Sequence, residues 1–185
     1  MAVIFTIQAS AQKKVEFDVD ISYLYGLQER TDYGNFSRND YKMSGASLHF
    51  SVLHPFSEAF AAGAGIGLDR YNHPGYNTCP VFLTVHYSPI TSFRNAYLFA
   101  DAGKDIGSSD FSKGTMLDAG IGYKYMTGKR FGITFRLGYN IRWSENKTKY
   151  EMNGKYSNYA DMICVNIDEI YHVRHSVIAG LGVIF

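Results

Sequence analysis

Apolar and polar residues alternate along three long segments of the chain. These segments are residues 15–27, 131–143 and 171–185, and each keeps apolar side chains at nearly every second position. In the first segment, carboxylates such as Glu16 and Asp18 separate valine, phenylalanine, isoleucine and tyrosine. A period of two places alternate side chains on opposite faces of a β-strand, whereas a helix would scatter these carboxylates around its circumference. The pattern therefore predicts three strands, each with one apolar and one polar face.

Five further segments carry weaker copies of the same alternation. Their bounds are residues 41–53, 59–71, 80–87, 96–103 and 116–126. In one of them the direction of the side chains stays open, because an inward Asp101 forces Tyr97 and Phe99 inward too unless a bulge resets the alternation. The sequence thus predicts eight strands.

The connections between the predicted strands differ in length. They are long at 28–40, 104–115 and 144–168, short at 55–58 and 127–130, and intermediate at 72–78 and 88–95. Short turns at one rim and long polar loops at the other are typical of transmembrane barrels, whose long loops lie outside the cell. The pattern predicts an all-β fold, an eight-stranded antiparallel up-and-down transmembrane β-barrel.

One short connection allows a prediction of strand register. Opposed residues in a hairpin share a face, so the loop needs an odd number of residues. A three-residue loop at 127–129 satisfies this condition and pairs Gly120 with Arg136 and Asp118 with Gly138.

Composition narrows the class of protein further. The chain holds 15 tyrosines, 13 phenylalanines and 18 glycines but only 4 prolines, a mixture that suits a barrel wall. The formal net charge of +1 argues against a nucleic-acid partner. No apolar run is long enough for a transmembrane helix. Cys79 and Cys164 lack the spacing of a zinc site and leave one disulfide or two free thiols as alternatives, so we predict neither a metal nor another cofactor.

The first residues differ in character from the rest. Residues 2–7 are mostly apolar and lead into Gln8-Ala9-Ser10-Ala11-Gln12. This is typical of the end of a secretory signal with an A-x-A cleavage site, although the positive n-region is missing. We interpret residues 1–11 as a signal-peptide remnant and residues 12–185 as one barrel domain that leaves the cytoplasm.

The distribution of charge between the two strand faces separates a membrane barrel from a soluble one. The apolar face of the three best strands carries almost no charge, with His175 as the one polar residue on that face of the last strand. A soluble lipocalin-like binding barrel, the alternative from another class, would turn its apolar face inward around a ligand. Aromatic residues at both strand ends predict the double girdle of a transmembrane barrel. They are Phe60, Tyr87, Tyr123, Tyr125, Phe131 and Phe185 towards the short turns, and Tyr25, Tyr139, Trp143 and Tyr171 towards the long loops.

Three stretches carry a family resemblance. They read VIAGLGVIF at 177–185, DAGIGYKY at 118–125 and YLFADAG at 97–103. With them the chain resembles, over residues 15–185, the small outer-membrane barrels of the OmpA transmembrane-domain and OmpX type. The resemblance implies residence in the outer membrane of a Gram-negative cell, contact with outer-membrane lipid and lipopolysaccharide, and folding by the barrel-assembly machinery. It also implies a C-terminal assembly signal formed by Ala179, Leu181, Val183 and Phe185.

The polar strand faces meet inside the predicted barrel. Eight strands leave a lumen only wide enough for side chains, and an unpaired charge there would be costly. We therefore predict an internal ion-pair plug, with a narrow gated ion path as the alternative. The predicted network is Glu16, Asp18, Asp20, Asp118, Lys124, Arg136, Arg142 and Arg174, with Asp69 and Asp101 on the same inward face.

Catalysis is the remaining alternative, because some eight-stranded outer-membrane barrels modify lipid A through His and Ser. His172 and Ser176 share the inward face, but four residues of strand separate them by about 13 Å, beyond hydrogen-bond reach. His49 and His86 also face inward and are isolated in the sequence. We predict a non-enzymatic outer-membrane barrel with an envelope-structural role or a role in recognising an extracellular ligand through its outer loops.

Overall fold

The computed structural model describes residues 15–31, 34–40, 42–72, 75–108, 111–128, 131–146 and 170–185. These residues form ten strands: β1 (Glu16–Thr31), β2 (Gly34–Ser37), β3 (Ser44–Pro55), β4 (Phe60–Asn72), β5 (Tyr76–Thr78), β6 (Pro80–Tyr87), β7 (Ala96–Asp105), β8 (Lys113–Met126), β9 (Gly132–Asn146) and β10 (Ile170–Ile184). Across these ranges, no helix is long and apolar enough to cross a membrane. The predicted signal remnant, Cys164 and most of the predicted loop 144–168 lie outside the described residues.

Eight of these strands close into a barrel. Each pairs antiparallel with its neighbours in the order β1, β3, β4, β6, β7, β8, β9, β10. A ladder between β10 and β1 closes the ring, and at its end Phe17 and Phe185 exchange two backbone hydrogen bonds of 2.9 and 3.0 Å. The short strands β2 and β5 add to β1 and β4 at one end. This topology confirms the predicted all-β, eight-stranded antiparallel up-and-down barrel.

The barrel has two different ends. We call the end with connections 56–59, 88–95 and 127–131 the short-turn rim, and the opposite end, where β2 and β5 lie, the long-loop rim. Four wall strands (β1, β7, β8 and β9) are longer than predicted, and all four extend at the long-loop rim. There polar side chains interrupt the alternation, while backbone pairing with the neighbouring strand continues.

The side chains of β7 alternate between the two faces without a bulge. Its ladder with β8 runs without a shift from Ala96 to Lys104. Tyr97, Phe99 and Asp101 are all buried in the lumen. No bulge is needed, because the lumen accepts both rings beside the carboxylate.

The predicted register between β8 and β9 is wrong. Asp118 lies opposite Asn140 and Gly120 opposite Gly138, two residues further along β9 than predicted. Two backbone amides of the turn donate hydrogen bonds to the carbonyl oxygen of Phe131. Phe131 therefore belongs to the turn instead of beginning the strand. A shift by an even number of residues keeps every side chain on its predicted face.

A bulge near the end of β1 reverses the alternation of that strand. The ladder with β10 shifts between Gly26 and Gln28, so Leu27 is the extra residue. Beyond it Glu29 is buried, at 2% exposure, and Arg30 is exposed. An inserted residue turns all following side chains to the opposite face. The bulge thus brings Glu29 into the lumen and turns Arg30 outward.

Glycines on the inner face make room for aromatic rings. A Cβ added at Gly122 would lie 2.2 Å from Cζ of Tyr97, and one added at Gly65 would lie 2.4 Å from Cζ of Phe82. Such close approach leaves no space for a side chain at either glycine. The rings fill the narrow lumen in place of the missing side chains.

Candidate functional site: a charged lumen inside an apolar wall

The outward face of the barrel is apolar along all its wall strands. Ile21, Leu48, Leu83, Leu137 and Leu181 are among the exposed side chains, and Leu83 is 69% exposed. An apolar surface that continues around the whole ring is suited to contact with hydrocarbon, and a closed barrel leaves no backbone edge unpaired there. The structure contradicts the lipocalin-like alternative, because the charged face points inward and the apolar face outward.

Aromatic side chains flank this apolar belt on both sides. At the short-turn rim Phe60, Tyr87 and Tyr125 are exposed, and at the long-loop rim Trp143 and Tyr171 are exposed. His175 is the polar residue on the outward face of β10. It lies beside an aromatic residue of the long-loop rim, since Tyr139 Oη and His175 Nδ1 are 3.0 Å apart. The two girdles mark where a membrane-spanning wall would meet the interfaces.

The lumen begins at the short-turn rim with a partly open ion pair. Lys124 Nζ lies 2.9 Å from Glu16 Oε2. The ammonium group also lies 5.4 Å from the centre of the Tyr97 ring, which stacks on His86. These residues line a cavity of about 820 Å³ that opens at this rim. Water can reach this pair, so its net contribution to stability is small.

Further from the short-turn rim, Arg136 joins two carboxylates from distant strands. Its Nη1 atom lies 2.9 Å from Asp20 Oδ2, and its Nη2 atom contacts Asp101. The guanidinium plane sits 3.9 Å from the centre of the Phe99 ring. Ser22 donates a hydrogen bond of 3.2 Å to the other oxygen of Asp20. The group is buried, so removing either kind of partner would leave an uncompensated charge in the lumen.

Arg142 holds the next layer in the same way. Its Nη1 atom lies 2.6 Å from Asp105 Oδ1, and its Nη2 atom contacts Asp69. Its Nε atom donates to the hydroxyl of Tyr71 at 3.0 Å. His49 Nε2 lies 2.9 Å from the second oxygen of Asp69. Every side chain in this group is buried, and its contacts join four different strands across the lumen.

Arg174 and His172 close the lumen near the long-loop rim. His172 Nδ1 lies 2.7 Å from Glu29 Oε1, and Arg174 Nη1 lies 3.5 Å from Glu29 Oε2. Arg174 also donates to the backbone carbonyls of Asn72 and Ser44 at 3.2 and 3.0 Å. This group links β10 and β1 to β3 and β4, across the place where the bulge lies.

Two members of the predicted network have no Lys or Arg partner within ion-pair distance in the part of the chain that is described. Asp118 instead accepts a hydrogen bond of 2.5 Å from the amide of Asn140. Asp18 is 1% exposed, and its Oδ1 atom has no hydrogen-bond partner among the described residues. The structure therefore brings Glu16, Asp20, Lys124, Arg136, Arg142 and Arg174 into ion pairs and leaves these two carboxylates outside them.

The described lumen holds more acids than bases. Its acids are Glu16, Asp18, Asp20, Glu29, Asp69, Asp101, Asp105 and Asp118, and its Lys and Arg side chains are Lys124, Arg136, Arg142 and Arg174. Two histidines, His49 and His172, contact carboxylates, and each contributes a positive charge when it is protonated. Even with both histidines counted, acidic side chains outnumber basic ones in the described lumen.

Sequence reasoning missed two of these acids for different reasons. Asp105 keeps the alternation of Asp101, so extending the seventh strand by two residues would have found it. Glu29 gave no such signal, because it enters the lumen only through the bulge at Leu27. His49, isolated in sequence, is held by Asp69 from the neighbouring strand.

The histidine of the enzymatic alternative lies in a Ser-His-Glu grouping. His172 faces Ser144 across the β9–β10 ladder and contacts Glu29, whereas Ser176 lies four residues further along β10. Yet neither His172 Nε2 nor Ser144 Oγ has a hydrogen-bond partner in the described residues. Ser144 is only 2% exposed. A nucleophile needs both its base and access to substrate, and this grouping has neither.

The stretch expected to act as an assembly signal forms the outer face of the closing strand. Ala179, Leu181 and Phe185 are exposed on the wall, and Val183 is half-buried. The Phe185 ring stacks on Phe17 with 5.7 Å between ring centres. These side chains therefore lie along the ladder that closes the barrel.

Within the ranges that the structure covers, no group of three or more His, Cys, Asp or Glu residues could hold a metal ion. Cys79 is half-buried between β5 and β6.

Comparison with known proteins relates the fold to solved barrels. No family model matches the sequence, and no curated protein matches it significantly. The chain is similar to outer membrane protein AlkL, with 10% identity and a TM-score of 0.47 over 100% of this chain and 97% of that one. It is similar to outer membrane protein OprG from Pseudomonas aeruginosa, with 9% identity and a TM-score of 0.40 over 94% and 97%. It is also similar to the KdgM porin, with 12% identity and a TM-score of 0.34 over 90% and 97%.

Proposed function

We propose that this protein is a non-enzymatic barrel of the Gram-negative outer membrane, of the small OmpA transmembrane-domain and OmpX-like kind. Its lumen is closed by ion pairs, and it does not carry solutes through its centre. Its role is to stabilise the envelope or to recognise an extracellular ligand through the loops at the long-loop rim. Lipopolysaccharide and the barrel-assembly machinery are its proposed partners.

The main support for this proposal is that charged side chains lie inside the barrel and apolar side chains lie outside, the reverse of a water-soluble protein. Charged groups such as Arg142 and Arg174 are fully buried inside, while Leu83 and Ile21 are more than 60% exposed outside. In water such an exposed apolar belt would drive aggregation, whereas in a bilayer it removes hydrocarbon from contact with water. A β-barrel without open edges meets the backbone requirement of the same environment.

Cell fractionation tests the location. We expect the full-length protein in the outer-membrane fraction, with faster migration on a gel before heating than after it, because folded barrels of this kind resist detergent until heated. Recovery in the soluble periplasmic fraction without a heat shift would contradict the proposal.

A second candidate, a narrow cation path, is favoured by the excess of carboxylates in the lumen. Conductance in planar bilayers separates the two. We expect no regular conductance steps from the wild-type protein, since Arg136 and Arg142 bridge the lumen at two heights. Cation-selective steps that change when Arg142 is replaced by Met would favour the path instead.

Lipid A analysis tests the enzymatic alternative. Overexpression should leave the lipid A mass spectrum unchanged, because His172 and Ser144 are buried and the described structure has no hydrogen bond between them. Loss or gain of an acyl chain that disappears in the Ser144→Ala variant would overturn the non-enzymatic assignment.

The proposed assembly signal has a matched test. Phe185→Ala should reduce the amount of folded barrel in the outer membrane while synthesis stays normal. Phe56→Ala is the control, because Phe56 is an exposed phenylalanine at the same rim that lies outside the closing ladder. Equal assembly of the two variants would remove the role given to Phe185.

A further inference from the structure

Three outward cations and the single tryptophan lie together at the long-loop rim. We call this surface, formed by Arg30, Lys104, Lys113, Trp143 and His175, the cationic rim face. Arg30, Lys104 and Lys113 are exposed, and Trp143 is 40% exposed. The tryptophan is the only one in the chain.

Strand pairing fixes the spacing of this face. Going around the wall, Arg30 lies opposite Val173, Val173 opposite Trp143, Trp143 opposite Thr115, and Thr115 opposite Lys104. Neighbouring strands are about 4.8 Å apart, so each cation starts about 10 Å from the tryptophan on either side. Arg and Lys side chains are long and flexible, and both can reach a group that lies over the indole.

A cleft opens beside the tryptophan. It has a volume of about 510 Å³ and is lined by Arg30, Asn35, Ser37, Trp143 and His175, among others. The hairpin of β1 and β2 forms one side, and the outward residues of β9 and β10 form the other. The cleft exists because the bulge at Leu27 turns Arg30 outward; without it, Arg30 would point into the lumen.

The ion pairs of the described residues include none that joins an acidic side chain to Arg30, Lys104 or Lys113. Glu145 lies opposite Lys113 in the β8–β9 ladder without pairing with it. At the short-turn rim the contrast is clear, since Arg94 forms an ion pair with Glu58.

We propose that the cationic rim face binds the phosphorylated headgroup of a glycolipid in the outer leaflet. Arg30 and Lys104, with Lys113, contact the phosphate oxygens, and Trp143 packs against the boundary between headgroup and acyl chains. Guanidinium and ammonium groups bind phosphate through charge-assisted hydrogen bonds, and tryptophan favours membrane interfaces. The proposal rests on the proposed function, which places this rim in the outer leaflet.

The unique tryptophan supplies the measurement. The full-length protein, folded in phosphatidylcholine vesicles, is titrated with bis-phosphorylated lipid A while the fluorescence of Trp143 is recorded. We expect a saturable change that is absent with fully dephosphorylated lipid A of the same acyl composition. Inorganic phosphate at millimolar concentration should not compete, because it lacks the acyl chains that hold the headgroup at this level.

Variants test the assignment of the cations. One surface cation next to an anionic lipid surface contributes about 1 kcal/mol, so Arg30→Gln should raise the midpoint about fivefold. The double variant Lys104→Gln/Lys113→Gln should raise it about 25-fold. Arg94→Gln, an exposed arginine at the opposite rim, should leave the midpoint unchanged.

Three results would overturn the proposal. They are an equal response to phosphorylated and dephosphorylated lipid A, an equal response to phosphatidylglycerol, and an equal shift for Arg94→Gln and Arg30→Gln. None of these bears on fractionation or heat-shifted migration, which test the outer-membrane location by themselves.

Discussion

Strand β9 presents two faces whose residues are specified in different ways. Inside, Arg136 and Arg142 each contact two carboxylates from other strands. Outside, Phe135 and Leu137 are exposed apolar side chains that face the proposed lipid. A lumen position therefore requires one particular side chain with its partners, whereas a wall position requires only an apolar one. Substitutions should separate the two faces by the size and the cause of their effects.

The largest effect is expected inside the lumen. Arg142→Met should lower the free energy of unfolding by about 3–5 kcal/mol, because Asp69 and Asp105 would remain buried without their cation. Urea titration of the barrel in lipid vesicles measures this change. The triple variant Arg142→Met/Asp69→Asn/Asp105→Asn removes all three charges and should recover most of the loss. A triple variant as unstable as the single one would contradict this explanation.

On the lipid face, the loss of unfolding free energy caused by an added charge should depend on how deep the position lies in the membrane. Leu137 lies near the middle of β9, and Leu137→Arg should cost about 2–4 kcal/mol in the same assay. Thr115 lies outward in the cross-strand row of Trp143. Thr115→Arg should cost about 0–1 kcal/mol, because that level is near the interface. Equal costs at the two positions would mean that this wall is not embedded as proposed.

A smaller effect is expected where a ring covers a glycine. Gly122→Ala places a methyl group against the Tyr97 ring and should cost about 1–3 kcal/mol through overpacking. The same substitution in a Tyr97→Ala background should cost much less, since the obstructing ring is absent. A double-mutant cycle by urea titration gives the coupling, and a value near zero would exclude the contact as the cause.

The smallest effect is expected at the short-turn rim. Glu58→Gln breaks the pair with Arg94, whose side chains are 66% and 47% exposed. Exposed ion pairs contribute about 0–1 kcal/mol, so the unfolding midpoint should hardly move. A loss as large as that of Arg142→Met would show that exposure does not explain the difference between the two sites.

Alternation along the sequence was sufficient to predict the eight wall strands, their faces and most of the lumen residues, but not the short strands β2 and β5. The reason is physical: a wall between lipid and a charged lumen forces a period of two on every strand. Asp20, Arg136 and Arg142 could be assigned to the lumen from this pattern alone. Their partners could not, because Asp101 and Asp105 meet these arginines only after the strands have closed into a ring.

The errors lie where alternation carries no information. The register of β8 and β9 depends on a turn in which Phe131 accepts two backbone hydrogen bonds, and an apolar residue is equally acceptable in a turn or at the start of a strand. The face of β1 on which the Glu29 side chain lies depends on one extra residue in that strand. Both features are local backbone geometries that several sequences could satisfy.

The bulge at Leu27 also bears on how such a wall tolerates changes in length. Deletion of Leu27 itself would restore regular pairing and leave Glu29 in the lumen and Arg30 outside, because Gly26 and Gln28 already lie opposite the consecutive residues Ser176 and His175. Deletion of one residue from a regular part of the strand would instead exchange the environments of Glu29 and Arg30. Gain or loss of two residues would leave both groups in place. A bulge in this barrel therefore absorbs a single extra residue, and we expect homologous strands to differ in length by odd numbers only where such a bulge lies.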